Sequence, residues 1–373
     1  MKKTWIKLML PLTMLVGLVG CNKAQEVGHV KIGILVKNPA TVQNQRFMTI
    51  LKEYAEDEKL DVEFEMSEAV ESAEVERRVI ETWSTAGFNG VISCVDSLDE
   101  EAKGALFKKE EIYFMNYNAP SDERIERYCG KDGNEYYLGG FGAQNTDVSS
   151  CYNAMKEMIG DATGEKSFVI GTAMKDSGVE MFVNRYNGCM QAINEWAAKP
   201  GNSIKGGTVK EIPGFAQAVA APIATTMAEK PDFIFAEAGA EFWSAPMQEA
   251  KAGDANWHPK FGYVDSLSTY TYIEEGWADL LLCSNDDRIA LAFAYLYNFC
   301  TGHKNVSPNT TEHQGKLVEN IPLDKYTTAN LAKAKTAASS KLYTVEQVET
   351  SIVRTNKNAT FQIWKDLLYG NNA

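Results

Sequence analysis

Several strongly hydrogen-bonding side chains fall at the ends of segments that the sequence predicts to be strands. Asn38 closely follows the first such segment, Asn116 ends the run IYFMN, and Asp265 follows the run FGYV. An asparagine amide donates and accepts hydrogen bonds, whereas an ionised aspartate only accepts them. Such groups can bind a polar ligand, but an Asx turn or a helix cap explains each of them equally well at this stage. Arg185, on a predicted helix, could likewise pair with a surface acid.

The motifs of the common enzyme classes are absent from the sequence. It contains no Gly-x-Ser-x-Gly, no His-Glu-x-x-His, no P-loop and no Gly-x-Gly-x-x-Gly after a predicted strand. The four histidines show no partner pattern, and neither a Cys-x-x-Cys motif nor a Cys/His cluster is present, so a structural zinc site is not expected. We therefore predict a protein that is not an enzyme and that binds neither a metal ion nor a cofactor.

Cys21 is the cysteine whose surroundings predict chemistry. Lys2, Lys3 and Lys7 precede the apolar segment 8–19, which ends in Leu-Val-Gly-Cys. A charged start, a short apolar core and small residues before the cut are typical of a secretory signal peptide. The apolar core of about twelve residues is too short to span a bilayer. The end of this segment resembles the lipobox of bacterial lipoproteins, which implies that Cys21 is lipidated and anchors the chain outside the cytoplasm.

Six further cysteines follow Cys21, and sequence alone does not fix any pairing among them. Most of them lie in apolar segments, which favours small buried thiols. They are Cys94, Cys129, Cys151, Cys189, Cys283 and Cys300.

The composition limits the partners of the chain. The formal net charge is −13, and removal of the three leader lysines would make it more negative. Such a surface repels nucleic acid and anionic lipid, so neither is a predicted partner. After the leader, no second apolar stretch is long enough to cross a membrane, and we expect a soluble body attached only by its lipid.

Predicted strands alternate with predicted helices along most of the body. Such alternation is typical of βαβ units that form a parallel sheet. Two runs of this kind predict two doubly wound lobes, whose ligands bind beyond the carboxyl ends of the strands. The predicted strands are 29–36, 60–66, 88–93, 111–115, 167–172, 207–212, 232–236, 260–264 and 279–283. The predicted helices are 41–58, 72–86, 98–108, 146–159, 179–198, 216–229, 239–251 and 286–301, with one or two more at 344–368 packed on the outside.

Over residues 29–328 the order of elements and several short motifs resemble the type 1 periplasmic binding proteins, in particular the ribose and glucose/galactose binders of ABC importers. The resemblance implies an α/β fold of two doubly wound parallel-sheet lobes joined by a three-crossover hinge. The tail beyond it has no place in either sheet and is expected to be a C-terminal helical extension. The matching segments are KIGILVKNP (31–39), IYFMNYNAPS (112–121), EYYLGGFGAQN (135–145), VNRYNGCMQAI (183–193), FGYVDSL (261–267) and LLLCSNDDRIA (280–290).

The same resemblance divides the chain into discontinuous lobes. The expected parts are a signal peptide (1–20), a tether (21–28), an N-terminal lobe (29–141 with 285–318), a C-terminal lobe (142–284 with 319–330) and the extension (331–373).

The resemblance also implies a function. We expect a lipid-anchored, monomeric solute-binding protein, on the outer face of the cytoplasmic membrane or in the periplasm. It would capture a simple sugar by closure of the lobes and deliver it to the permease of an ABC transporter. Two alternatives stay open: a ligand that is a nucleoside or a furanosyl signal, and a role as the ligand-sensing partner of a membrane receptor.

Seven positions are implied to bind the ligand. An arginine fork would donate to neighbouring sugar hydroxyls, an aspartate would accept from two, and asparagines would do both. An aromatic ring would supply the apolar wall that sugar C–H groups need. The positions are Asn38, Asn116, Arg185, Phe215, Asp265, Ser284 and Asn285, with Ser93, Asp96 and Tyr117 as weaker candidates.

The sequence departs from this family at two expected contact points. Ribose-type binders carry two aromatic residues where Ala40 and Thr41 stand here. An Asn-Asp pair of the family is replaced by Ala238 and Gly239. Trp243 could fill part of the space on that side, although a buried helix tryptophan explains it equally well.

Overall fold

The structure is a computed structural model that describes residues 28–173, 175, 179–214, 219–254 and 256–370. The strands are β1 (Val30–Leu35), β2 (Val62–Met66), β3 (Gly90–Ser93), β4 (Tyr113–Asn116), β5 (Tyr137–Gly142), β6 (Glu165–Lys166), β7 (Phe168–Ala173), β8 (Ser203–Ile204), β9 (Lys210–Pro213), β10 (Phe233–Ala236), β11 (Lys260–Val264), β12 (Leu280–Cys283), β13 (Leu317–Asn320) and β14 (Asp324–Thr327). The helices are α1 (Val42–Ala55), α2 (Ala73–Thr85), α3 (Glu100–Lys109), α4 (Asp122–Cys129), α5 (Asp147–Ile159), α6 (Glu180–Ala197), α7 (Ala220–Ala228), α8 (Ser244–Gly253), α9 (Thr271–Glu274), α10 (Ile289–Cys300), α11 (Leu331–Ser339), α12 (Val345–Glu349) and α13 (Phe361–Tyr369).

The first sheet has the strand order β13-β5-β4-β3-β1-β2, and all of its neighbouring strands are parallel. Strands β1 and β3 are almost wholly buried, as expected for a parallel sheet with helices on both faces. One face packs against α1 and α10, and α10 is buried along its whole length. The other face packs against α2, α3 and α4. We call this sheet and these five helices the first lobe.

The second sheet has the order β14-β12-β11-β10-β7-β9. Only β14 is antiparallel to its neighbour among the described strand pairs of this sheet. Helices α5 and α6 cover one face, and they touch at Gly188, where a Cβ would lie 2.2 Å from the carbonyl oxygen of Val148. Helices α7, α8 and α9 cover the other face. This sheet and helices α5–α9 form the second lobe.

The chain passes between the two sheets three times. It leaves the first sheet after β5 and returns after β12, and the third passage joins β13 to β14. The predicted fold class is therefore confirmed: an α/β protein with two doubly wound parallel-sheet lobes joined by three crossovers. A glycine at the first crossover, Gly142, has a φ of 147°, a conformation that L side chains rarely adopt.

Several elements were not predicted from the alternation of apolar residues, among them α4, β13 and β14. Helix α4 has the sequence DERIERYC, in which charged residues outnumber the apolar ones. Strands β13 (LVEN) and β14 (DKYT) have only four residues each and are partly polar. Segments this short or this polar carry too little periodicity to be recognised.

The C-terminal extension contacts both lobes. Helix α11 buries Ala334 in the core of the second lobe. Helices α12 and α13 pack on α10 of the first lobe, where the indole of Trp364 donates to the carbonyl of Leu291 at 2.8 Å. The one or two helices predicted at 344–368 are thus α12 and α13, and the extension also joins the second lobe through α11.

The six cysteines that follow the leader are free thiols, and all except Cys94 are buried. This agrees with their apolar flanks. Cys94 is half-buried, and desolvation by the surrounding protein raises the pKa of its thiol to about 12, so this side chain is a poor nucleophile in the folded protein. In the part of the chain that the structure describes, no helix combines the length and the apolar character needed to cross a membrane.

Candidate ligand-binding site

The polar residues of the second lobe meet at one edge of its sheet. Asp265 follows β11, and its backbone amide donates to the carbonyl of Leu282 in β12 at 3.0 Å. Glu237 follows β10, and its amide donates to the carbonyl of Gly171 in β7 at 3.0 Å. These strand ends are therefore adjacent, at the edge where doubly wound sheets bind ligands.

Arg185 reaches this edge from helix α6. Its Nη1 donates to the carbonyl oxygen of Glu237 at 2.7 Å, and its guanidinium lies 5.7 Å from the ring centre of Phe182. Its Nε lies 3.4 Å from Oδ2 of Asp147, which is fully buried. Burial raises the pKa of Asp147 to about 6, and the neighbouring Arg185 limits that rise. Arg185 is thus both a candidate ligand residue and the cationic partner of a buried carboxyl.

Asp265 has a different environment. Its Oδ1 accepts from the amide of Ser266 at 2.7 Å, and its side chain is partly open to solvent. Burial raises the pKa of Asp265 to about 6, the Ser266 amide opposes the rise, and the charge of Glu241 adds to it. The carboxyl is therefore poorly solvated and can accept hydrogen bonds from a ligand at neutral pH.

Ser284 and Asn285 lie at the second crossover. Ser284 Oγ is 3.5 Å from Nη1 of Arg288, a weak contact. Asn285 Oδ1 accepts from the amide of Asp287 at 2.9 Å and caps the turn that leads into α10. Asn285 also lines a cavity of about 540 Å³ between the crossover and helix α11. The side-chain amide of Asn285 therefore stabilises the turn at this crossover.

Asn38 lies on the surface of the first lobe. Its Oδ1 accepts from the amide of Ala40 at 3.0 Å, and its carbonyl oxygen accepts from Nδ2 of Asn44 at 2.7 Å. These bonds form an Asx turn that leads into α1. The turn uses the acceptor of the side chain and leaves its amide hydrogens exposed.

Asn116 is far more enclosed than Asn38, with 4% of its surface exposed. Its Nδ2 donates to Oη of Tyr128 at 3.3 Å, while its Oδ1 has no hydrogen-bond partner among the described residues. Strand β5 packs against it through Gly140, where a Cβ would lie 2.5 Å from the carbonyl oxygen of Asn116. The backbone of this residue is therefore held firmly in place.

A charge cluster lies beside Asn116, and its members are buried except for Asp96, which is exposed. Lys103 Nζ is 2.7 Å from Oε1 of Glu76, and both side chains are fully buried. Arg124 Nη2 is 2.7 Å from Oδ2 of Asp96 in the loop after β3. Only Asp96 is a candidate from the sequence. Lys103 and Arg124 lie in segments rich in charged residues, so the sequence indicates that both are exposed. The one feature of the sequence that could have pointed to Arg124 is its spacing of four residues from Tyr128.

A polar bridge joins the lobes at the first crossover. Gln144 Oε1 accepts from Nη1 of Arg124 in α4 at 3.2 Å. Its Nε2 donates to Oε2 of Glu180, at the start of α6, at 2.6 Å. One buried side chain of the crossover therefore bonds to both lobes.

A second bridge lies at the crossover after β12. Asp286 Oδ1 accepts from Nε2 of Gln43 in α1 at 2.9 Å, and its Oδ2 accepts from Oγ of Ser266 at 3.0 Å. Ser266 follows β11 and adjoins Asp265. The loops beyond the carboxyl ends of both sheets thus contact each other at this crossover.

No family model matches the sequence, and no curated protein matches it. Many solved structures are similar. An ABC transporter periplasmic solute binding protein from Actinobacillus succinogenes, with bound D-allose, has a TM-score of 0.61 at 14% identity over 82% of this chain and 99% of that one. A galactofuranose binding protein has a TM-score of 0.63 at 12% identity over 83% and 98%. A carbohydrate transporter from Acidothermus cellulolyticus, in complex with myo-inositol, has a TM-score of 0.59 at 17% identity over 83% and 98%.

This chain has the type 1 periplasmic-binding-protein fold. Its sequence identity to these proteins is low. At the two expected contact points where its sequence departs from the sugar binders, the structure shows what the residues do instead. At the first, Thr41 is an N-cap whose Oγ1 accepts from the amide of Asn44, the start of α1. At the second, Gly239 adopts the left-handed conformation before a 3-10 turn. Neither position contributes the side chain that the resemblance implies.

Two aromatic candidates have different outcomes. Trp243 is fully buried, and its ring occupies the space beside Gly171, where a Cβ would lie 2.5 Å from it. Trp243 therefore belongs to the core of this binding-protein fold, and the interpretation that it fills the cleft is wrong. Phe215, like the lipidation candidate Cys21, lies outside the described residues.

Proposed function

We propose that this chain is an extracytoplasmic solute-binding protein that captures a small neutral sugar between its lobes and delivers it to an ABC transporter permease. It acts by binding, not by catalysis. The observation that carries the proposal is that polar strand-end residues of both lobes lie at sheet edges whose loops contact each other, in a fold whose similar solved structures contain D-allose and myo-inositol. Asn116 comes from the first lobe, whereas Arg185 and Asp265 come from the second.

The chemistry of these three residues suits hydroxyl groups. A sugar hydroxyl both donates and accepts, so its site must offer both functions. Asp265 supplies an acceptor, Arg185 supplies donors, and Asn116 has one carbonyl oxygen without a partner among the described residues. The bonds that Asp265 and Arg185 would form with a hydroxyl group are charge-assisted, and such bonds are roughly twice as strong as neutral ones. Asn38, Ser284, Asn285 and the ring of Phe215 complete the proposed site.

Closure of the lobes is the proposed capture step. We propose that the lobes comprise residues 29–141 with 285–318 and residues 142–284 with 319–330. The sheet to which each strand belongs supports this division, apart from the last residues of β5 and β13, which extend across two of the boundaries. A ligand that touches both lobes binds the closed form better than the open form, and this difference in affinity shifts the population. The three crossovers are the hinges, because a few residues there can absorb the backbone change.

The sugar-binding proposal predicts a ligand-dependent rise in melting temperature of the lipid-free mature chain. A ligand at 100 times its dissociation constant adds about 2.7 kcal/mol to the free energy of unfolding. For a protein of this size that corresponds to several degrees. The panel contains D-allose, D-ribose, D-glucose, D-galactose, D-arabinose, myo-inositol, galactofuranosides and nucleosides. Small-angle scattering on any active compound should show a decrease in the radius of gyration.

The outcomes of this experiment separate the two parts of the proposal. If no panel compound raises the melting temperature, the small-polyol function is wrong. If a sugar stabilises the protein but scattering stays unchanged at saturation, binding stands and closure is wrong. Stabilisation by nucleosides alone would favour the nucleoside alternative.

A furanose ligand is the second candidate. It is favoured by the structural similarity to a galactofuranose binding protein, which has the highest TM-score of the three reported above. Because both ring forms present hydroxyls and an apolar face, the described residues suit either form. Stabilisation by methyl galactofuranoside but not by the corresponding pyranoside would establish the furanose preference.

The lipid anchor is tested through Cys21. We propose that the mature protein is monomeric and is held at the outer face of the cytoplasmic membrane, or in the periplasm, by acyl chains on this residue. Cys21→Ala should abolish incorporation of a radioactive fatty acid, whereas Cys94→Ala, the control, should retain it. Two or more chains are needed for stable anchoring, so the Cys21 variant should also leave the membrane fraction. Wild-type labelling of Cys21→Ala would contradict the anchor.

A further inference from the structure

Asn116 belongs to a chain of hydrogen bonds that converges on one hydroxyl group. Oη of Tyr128 lies 3.0 Å from Nη2 of Arg124 and 3.0 Å from Oδ1 of Asp96. The same Oη lies 3.3 Å from Nδ2 of Asn116. Tyr128 is buried, and these three groups are the hydrogen-bond partners of its hydroxyl group among the described residues.

The direction of these bonds is fixed at both ends. A guanidinium group only donates, and an ionised carboxylate only accepts. Desolvation by the surrounding protein raises the pKa of Asp96, but Lys103 and Arg124 outweigh it and leave the pKa below its usual value, so this carboxyl is ionised at neutral pH. Tyr128 therefore accepts from Arg124 and gives its single proton to Asp96.

This arrangement selects one orientation of the Asn116 amide. The remaining capacity of the Tyr128 hydroxyl is an acceptor, which requires the NH₂ group of Asn116 and not its carbonyl oxygen. Oδ1 of Asn116 then faces away from Tyr128, and it is buried without a hydrogen-bond partner among the described residues. An unmet buried acceptor is costly, and this one lies at the end of β4, on the edge where doubly wound sheets bind ligands.

We propose that Tyr128 is a positioning residue that makes Asn116 an obligate acceptor, so that the first lobe selects a ligand hydroxyl that donates at this point. The inference rests on the proposed sugar-binding function and names one element of its specificity. A group that can only accept, such as fluorine, is rejected there because it would face the Asn116 oxygen.

The experiment uses Tyr128→Phe, which removes the hydroxyl group and frees the amide to rotate. Calorimetry measures the affinity of the panel sugar that binds most tightly and of each of its monodeoxyfluoro derivatives. In the wild type, fluorine at one position should weaken binding by about tenfold or more. In Tyr128→Phe the loss of affinity caused by fluorine at that position should fall to about threefold or less, because a rotated Asn116 amide can donate to fluorine. The ratio of parent-sugar affinity to fluoro-sugar affinity at the other positions should stay unchanged.

Tyr137→Phe is the matched control. Tyr137 is also buried, its ring centre lies 4.6 Å from that of Tyr128, and its hydroxyl has no hydrogen-bond partner among the described residues. This variant should keep all wild-type ratios. A Tyr128→Phe protein that binds the sugar with unchanged ratios at every position would overturn the inference and leave the proposed function intact.

A measurement without ligand keeps the inference testable if no panel sugar binds, an outcome that contradicts the proposed function. In protein labelled with ¹⁵N-asparagine, the side-chain amide signal of Asn116 is assigned by its loss in Asn116→Ala. That signal should shift, and its hydrogens should exchange faster, in Tyr128→Phe but not in Tyr137→Phe. Identical Asn116 signals in the wild type and Tyr128→Phe would overturn the proposed orientation.

Discussion

Replacing Arg185 with alanine is expected to lower the free energy of unfolding by about 3–5 kcal/mol at neutral pH, in addition to weakening sugar binding by at least about tenfold. The loss of stability follows from Asp147, which is fully buried and has Arg185 as its cationic neighbour. Without the guanidinium, a buried carboxylate is left uncompensated. Chemical denaturation gives the free energy of unfolding, and calorimetry gives the affinity.

The effect of this substitution should depend on pH. The pKa of Asp147 is already raised to about 6 by burial, and loss of Arg185 raises it further. Between its ordinary and its raised pKa the folded state binds more protons than the unfolded state, so stability falls as pH increases. The deficit of Arg185→Ala should therefore be largest above the raised pKa and smaller at about pH 5. An equal deficit at both pH values would contradict the role of Asp147.

Two further variants separate folding from binding. Arg185→Ala combined with Asp147→Asn removes both charges and should recover most of the lost stability, but not the affinity. Asp265→Asn should lose affinity without loss of stability in the unliganded protein. Its carboxyl has a raised pKa in the folded state, so its charge costs free energy at neutral pH. If Asp265→Asn binds the sugar normally, this residue is not part of the site.

The fold could be predicted because its signal is repeated along the chain. Buried strands such as β1 and β3 are short apolar runs, and the helices between them bury one face, so each unit indicates the same architecture. The elements that were missed carry no such repetition. Strand β14 exists because it pairs with β12, and α11 is held by the core of the second lobe, so both depend on contacts with distant segments.

The site could be predicted only in part, for a related reason. Asn116 and Asp265 are visible because strand ends can be located in the sequence. The roles of Tyr128 and Asp147 depend on contacts with residues 32 and 38 positions away, Asp96 and Arg185. Sequence spacing does not reveal such pairs. The partners that orient the predicted residues therefore emerge only from the folded arrangement.

Lys103→Met is expected to destabilise the protein by about 3–5 kcal/mol, although a lysine in the segment EEAKGALFKK indicates an exposed position. Its side chain is 0% exposed, and Nζ contacts Oε1 of Glu76 at 2.7 Å, Oγ of Ser93 at 2.7 Å and the carbonyl of Val95 at 2.5 Å. Methionine fills a similar volume but leaves Glu76 charged, buried and without its cation. Denaturant titration at neutral pH measures the loss.

Two comparisons test this explanation. Adding Glu76→Gln to Lys103→Met removes the uncompensated charge and should restore a large part of the stability. Lys109→Met, on the same helix, removes a lysine whose side chain is 72% exposed, and should change the free energy of unfolding by no more than about 0.5 kcal/mol. If Lys103→Met were as mild as Lys109→Met, the buried pair would not support the fold.

The same substitution should also affect the proposed sugar specificity. Lys103 holds the loop after β3 through Val95, and its charge helps to keep Asp96 ionised. Asp96 in turn fixes the direction of the Tyr128 hydroxyl and thereby the amide of Asn116. Lys103→Met protein that remains folded at low temperature should therefore lose part of its discrimination against the fluorinated sugar, as Tyr128→Phe does. Full discrimination in the folded variant would show that Asp96 does not need Lys103 to orient Tyr128.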